Sequence, residues 1–536
     1  MPEGQHLAFN TGHYTRSSNL DHVQTKYRLA TQAYSQANFA RANQLCDQLL
    51  TGMKTNTDLL NLKAMSCLAM GHIDIAESAI GRALKINPRL PGLHLNAALV
   101  YQAESRFKQV KRHALEAVQL APREASVLYQ AALLCRNCGD HARALRILAR
   151  CLQIRVDFVE AWQLEGSIHT DLGDFEAAQK SFEMAVSLQP LNARALSTLV
   201  GIRGNDLSDK DVVAMLENIR RKADTAPDRA TAAFTLADMY RRDAQYDNAF
   251  KLYREANELV AKSKPFDLDN WQKNVRNTTT ETDSFKLSTG SSGEKLVFII
   301  GMPRSGTTLC EQVLSAHADI LACGELASMQ QIETGLQRRG INPYGAYSEE
   351  PGLSQVLHKA GDQYLSSLPG DHHRYQRVID KAPMNFERIG LIHKIFPAAR
   401  FMYCKRHPLD TILSCYFQDF HAGLNYASDL EVITRIYIDH VRLMEHWSER
   451  MPGRIHTVDY ESLVSNLDLE ARAMTEFLNC DFDPAMLNPH QQQRAITTAS
   501  MLQVRQPVYT TSVNRWKNYR PQLDGVIKLL QEQGVL

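Results

Sequence analysis

The chain has 536 residues, too many for one hydrophobic core, and by length alone it should fold as about three or four units. Its 60 Lys and Arg against 59 Asp and Glu leave a net charge of +1, so no global field steers it toward nucleic acid or an anionic membrane, and any anion site must be local. With 44% apolar and 22% charged residues, the composition excludes a mainly disordered, collagenous or disulfide-scaffold chain.

The first segment, residues 1–22, is polar and lacks the basic-then-apolar order of a signal peptide; the longest apolar runs, such as LVFII before Gly301, are too short to span a bilayer. The expectation is a soluble, cytoplasmic protein. In a reducing compartment the ten cysteines act mostly as small buried hydrophobes. Cys135 and Cys138 could begin a zinc site, but no second pair or nearby His couple completes four ligands, and no metal is expected.

Residues 23–263 carry an internal repeat. Small residues recur every 34 positions at Ala30, Ala64, Ala98, Ala132 and Gly166. In the same frame Gly71, Ser105, Gly139 and Gly173 fall at a turn, and Ala42, Ala76, Ala144 and Ala178 fall early in a second helix. Pro88, Pro122 and Pro190 close their units. Small residues let antiparallel helices approach, Gly permits the turn and Pro ends a helix without needing an amide donor. The pattern resembles the tetratricopeptide repeat, with units starting near 23, 57, 91, 125 and 159 and Trp162 at the family's aromatic position. A further unit near 230–263 keeps Ala237, Tyr240, Ala249 and Ala256, after a poorer stretch around GNDLSDKD that reads as a degraded repeat or hinge. Such a solenoid would offer its concave face, including Asn96 and Gln130, to a peptide or protein partner, or else only pack on its neighbouring domain.

Residues 264–294, with TTTETD and STGSSG, read as a linker. From 295 to 536 short β-branched runs (LVFII, RVI, ARFMYC, RIHTV) alternate with helical patterns, predicting an α/β domain with a parallel sheet covered by helices. The expected fold class is therefore an all-α solenoid followed by a P-loop-like α/β domain.

The chemistry begins where LVFII enters Gly301-Met302-Pro303-Arg304-Ser305-Gly306-Thr307-Thr308 and a helix. Backbone N–H groups and the helix N-terminus would point at one anion, with the Thr307 and Thr308 hydroxyls adding donors. Thr307 stands where a nucleotide-triphosphatase would have lysine, which weakens a kinase or ATPase reading. The cation is Arg304 instead. This loop resembles the 5′-phosphosulfate loop of sulfotransferases, which use 3′-phosphoadenosine 5′-phosphosulfate (PAPS). Arg406 at a strand end and Ser414 eight residues later match the spacing with which that family holds the 3′-phosphate.

The pattern is similar to tyrosylprotein sulfotransferases and to bacterial proteins that fuse tetratricopeptide repeats to such a domain. By that resemblance Glu325, 21 residues after Arg304, is the catalytic base. Lys381 is a catalytic cation, and Tyr460 contacts the cofactor. PVYTTSVNRWKNY, with Arg515 and Trp516, closes over the nucleotide. The cofactor set so implied is Arg304, Ser305, Gly306, Thr307, Thr308, Arg406, Ser414, Tyr460, Asn514, Arg515 and Trp516, without metal. Asn514 replaces a family serine, whose role passes to Asn514 or Ser512; Gln418 replaces an arginine, and His407 an acidic residue.

Transfer from PAPS places negative charge on the leaving oxygen and a proton on the base, so Arg304 and Lys381 are expected as clamps and Glu325 as proton acceptor. Without the resemblance, Glu325 reads as a loop or helix-capping carboxylate. His317, His372, His373 and His393 are rival bases without motif support. The expected activity is sulfuryl transfer to an acceptor hydroxyl, with protein tyrosine the first candidate and the repeats recruiting the acceptor or a partner. The alternatives are a carbohydrate, lipid or small-molecule acceptor, or a repeat scaffold with an inactive nucleotide-binding domain.

Overall fold

The computed structural model describes residues 17–263, 265–281, 290–341, 352–420, 424–492 and 505–536, and the chain divides into two compact units, Met1–Val156 and Asp157–Leu536. In the first unit, helix pairs begin at Thr57, Pro91 and Ala125, the starts that the 34-residue period predicts. Their cores are built from the repeated small residues and from Leu59, Leu60, Ile80 and Leu93. The turn residues Ala37, Gly71, Ser105 and Gly139 all have positive φ, between 55° and 72°. The frame therefore demands a left-handed turn even where the residue is not glycine.

The second unit continues the pattern. The pair Val159–Leu172 and Phe175–Leu188 turns at Gly173, and a Cβ on Gly166 would come within 2.8 Å of the Phe182 ring, which explains the small residue there. The poorer stretch is the turn of a further pair, Ala193–Arg203 and Lys210–Lys222, so the degraded-repeat reading holds over the hinge. A last pair follows, Ala226–Arg242 and Tyr246–Ser263.

Five parallel strands follow: β1 (Leu296–Gly301), β2 (Ile320–Ala322), β3 (Arg377–Asp380), β4 (Arg400–Lys405) and β5 (Ile455–Asp459), in the order β2-β3-β1-β4-β5. β1 is apolar at every position before its glycine because both faces are covered. Leu296, Phe298 and Ile300 join one core, while Val297 and Ile299 join another with Val313, Met474 and Leu478. Both neighbours of β1 come later in the chain, so the crevice at its carboxyl end is the ligand position of an open α/β sheet.

The sequence boundary at 263/264 does not separate two packed bodies. Ala233, Phe234, Phe250 and Tyr253 of the last helix pair belong to the same core as β1 and β4. The Tyr253 ring stacks on Phe417 at 3.9 Å and 13°, and Asn257 donates to the Tyr416 carbonyl at 2.8 Å. Nor is 264–294 linker throughout, since Leu268–Glu281 is a helix. Its Thr278 hydroxyl donates to the Asn274 carbonyl, so hydroxyls that suggest a loop are satisfied within the helix. Residues 282–289 lie outside the described residues.

Candidate active site

The turn after β1 is fixed by sterics. Gly301 has φ +145°, and a Cβ there would sit 2.5 Å from the Cys404 carbonyl oxygen of β4. Gly306 has φ +100°, and a Cβ there would meet the Tyr460 ring at 2.6 Å. Glycine is required at both positions. Between them Arg304 adopts φ 69°, a left-handed conformation uncommon for a side-chain-bearing residue and frequent at functional turns. Helix Thr307–Ser315 starts directly from the loop with Thr307 and Thr308 buried.

Arg304, Arg406 and Arg515 converge on this loop. Arg304 donates from Nε to the Ser414 hydroxyl at 3.2 Å. Burial lowers its guanidinium to about 10, with Cys415 opposing and Arg515 and Arg406 adding to the fall. Burial likewise lowers Arg515, with Arg241 and Arg406 adding to it. Among the described residues neither Arg406 nor Arg515 makes an ion pair with a carboxylate. Clustered guanidinium groups repel one another, and an anion relieves that cost.

Arg406, expected from the sequence to grip a phosphate, lies beside the loop and holds protein groups there. Nη1 donates to the Arg304 carbonyl at 2.9 Å and Nη2 to the Ser512 carbonyl at 2.7 Å, while the guanidinium lies 4.6 Å above the Tyr460 ring. Its Nε and the Ser305 hydroxyl are buried without a hydrogen-bond partner. Buried polar atoms are normally satisfied, so these two are open positions for a ligand's oxygens.

Lys381, one residue beyond β3, is wholly buried, and its Nζ lies 2.5 Å from Glu325 Oε1, beyond the neighbouring β2. Glu325 is 48% exposed, so the carboxylate is the member of the pair that an acceptor can reach. The two residues expected at opposite ends of the reaction are thus in direct contact.

The C-terminal segment brings Arg515 and Trp516 to the site. Of the alternatives for the missing serine, Ser512 is hydrogen-bonded to Tyr460, whereas the Asn514 side chain is exposed and contributes its backbone. Gln418 turns to the Asp419 carbonyl and adds no cation.

The rival histidines lie elsewhere. His317 engages the Asp481 carbonyl and the Asp319 amide, just before β2 begins. His373 accepts through its carbonyl from Lys295, just before β1, and His372 contacts the Pro369 carbonyl. Burial lowers His393 to about 4, and Arg454, just before β5, adds to this. All are at the amino-terminal end of the sheet, opposite the loop.

Sequence reasoning missed Asp410, a buried carboxylate that accepts from the Asn514 amide at 2.7 Å and the Trp516 amide at 2.9 Å. Its position four residues beyond Arg406 was the available signal. Burial pushes the Cys135 and Cys138 thiols up to about 11 and about 12, and no group of three metal-ligating side chains occurs among the described residues. No helix among them is long and apolar enough to cross a membrane.

Comparison with known proteins finds matches to two parts of the chain. Residues 297–484 match the sulfotransferase family and residues 159–190 a tetratricopeptide repeat. An uncharacterized protein of Aquifex aeolicus is 31% identical over 382 residues, 68% of this chain and 49% of that protein. Protein-tyrosine sulfotransferase 1 of Danio rerio is 26% identical over 244 residues, 41% of this chain and 65% of that one. The chain therefore spans about half the length of the first relative and just under two thirds of the second. Among solved structures, the sulfotransferase domain of the Synechococcus PCC 7002 olefin synthase is similar with TM-score 0.34 and 20% identity, covering 43% of this chain and 90% of that domain. The chain carries a tetratricopeptide repeat region followed by a sulfotransferase-family domain.

Proposed function

We propose that the protein transfers a sulfuryl group from PAPS to an acceptor hydroxyl, with protein tyrosine the first candidate acceptor. The observation that carries this reading is the cluster of Arg304, Arg406 and Arg515 around a glycine-bounded loop, with the Ser305 hydroxyl and Arg406 Nε left open. The donor set fits a polyanionic nucleotide: guanidinium forks, hydroxyls and a helix N-terminus, with the Walker lysine absent at Thr307. Bound there, PAPS supplies an activated sulfuryl group.

The chain's own residues would do the rest. Arg304, Ser305, Thr307 and Thr308 hold oxygens at the loop; Arg406 and Ser414 bind beside them; Tyr460 packs under Gly306 and Arg406. Glu325 takes the acceptor's proton and Lys381 stabilises oxygen charge that develops on transfer. The repeat region presents the acceptor or a recruiting partner, and the ten unbridged cysteines support a reducing, cytoplasmic setting.

Calorimetry with adenosine 3′,5′-bisphosphate tests the site. Metal-independent binding, tighter than that of ATP with magnesium, is expected. Equal affinity for the two, or loss of binding with a chelator, would remove the proposal's basis.

A further inference from the structure

We propose that Asp410 is a positioning residue that holds segment 512–516 closed over the nucleotide site, so that nucleotide affinity depends on a carboxylate that does not itself touch the nucleotide. The inference rests on the function proposed above. Asp410 is the third residue of helix Pro408–Tyr416 and only 2% exposed. Its two oxygens hold different amides, Oδ2 accepting from Asn514 at 2.7 Å and Oδ1 from Trp516 at 2.9 Å.

Asn514 sits at φ 61°, and the left-handed residue turns the amides on either side of Arg515 toward one anion, as in a backbone nest. Here the anion is a side chain of the protein. Arg515 lies between the two tethered residues, so the clamp fixes the direction from which its guanidinium enters the arginine cluster. Two further contacts complete the strap. The Trp516 ring stacks on His407 at 5.5 Å and 6°, and Arg406 Nη2 holds the Ser512 carbonyl. Without Asp410, two backbone amides lose a charged acceptor and Arg515 loses its anchor.

Asparagine has the shape of aspartate but one acceptor oxygen, and its NH2 group would face a backbone N–H. Asp410→Asn therefore releases one tether while leaving the helix intact. The test compares wild type and Asp410→Asn in the full chain, using adenosine 3′,5′-bisphosphate binding, thermal unfolding without nucleotide, and the KM for PAPS against kcat. The expected result is affinity weaker by roughly 10–100-fold, the worth of a charge-assisted hydrogen bond. KM should rise in parallel, with kcat at saturation and the nucleotide-free melting temperature nearly kept. Equal binding by the two proteins, or a fall in melting temperature and kcat with KM unchanged, overturns the inference and leaves the functional reading standing. Failure of the wild-type chain to bind the bisphosphate overturns that reading, and this inference with it.

Discussion

Lys381 Nζ and Glu325 Oε1 are 2.5 Å apart although 56 positions separate the residues in sequence. Adjacent parallel strands β2 and β3 deliver them to the same edge of the sheet. A buried ammonium needs a partner, and here the partner is the residue assigned to take the acceptor's proton. The two should therefore act as a unit. Glu325→Gln is expected to lower turnover about 10²–10⁴-fold with nucleotide affinity nearly kept. Lys381→Ala should also lower it, and the double variant should fall short of the product of the single effects. Steady-state kinetics on all four proteins checks this; fully multiplicative losses would mean that the contact has no part in catalysis.

Gly306→Ala should abolish nucleotide binding. The new methyl group would require φ near +100° and would lie 2.6 Å from the Tyr460 ring, so either the loop or the tyrosine beneath Arg406 must move. Calorimetry on the variant reads the loss, and circular dichroism verifies that the sheet remains.

The last repeat pair is part of the sheet domain's core, which changes where the chain can be cut. Tyr253 is fully buried, and its hydroxyl donates to Asp238 at 2.6 Å. Tyr253→Ala should cost about 3–5 kcal/mol, as for other large aromatic truncations. A fragment starting near 290 should be insoluble or partly unfolded, whereas one starting at 157 should melt cooperatively. Solubility and thermal unfolding of the two fragments decide the matter.

In the first unit, His94 and His113 meet Nδ1 to Nδ1 at 3.0 Å, with His94 Nε2 on the Pro88 carbonyl and Arg112 on His113 Nε2. These contacts need the His113 ring neutral, because a protonated His113 cannot accept from Arg112. Burial lowers His113 to about 4, and Arg112 and His94 add to the fall. A depressed histidine contributes stability that is present above its ordinary value near 6.5 and is lost as pH falls through 4. The acid loss of stability in urea unfolding should be flatter in His113→Leu than in wild type across pH 6.5 to 4; identical slopes would contradict the account.

Much of this was legible in sequence because periodicity reports local geometry. The starts at 57, 91, 125 and 159 and the strands from LVFII, RVI, ARFMYC and RIHTV all follow from side-chain pattern. β2 escaped because three residues are too few to show alternation. The shared core around Tyr253 and Phe417 escaped for a different reason: a repeat helix carries the same small and apolar residues whether its second face meets another repeat or a sheet domain. Arg304, Arg406 and Glu325 were singled out because their spacing resembles that of a known family. The Lys381–Glu325 contact and the Asp410 clamp were not, since both depend on which strands and loops become neighbours.

The most direct test of the central claim follows label from 35S-PAPS into acceptor hydroxyls, using the full chain, a tyrosine-containing protein extract and Glu325→Gln as control. The account predicts label on the acceptor with wild type, a loss of about 10²-fold or more in the variant, and ester-linked sulfate on tyrosine or another hydroxyl class. Absence of transfer by a chain that binds the bisphosphate, across protein, carbohydrate and lipid extracts, would contradict it.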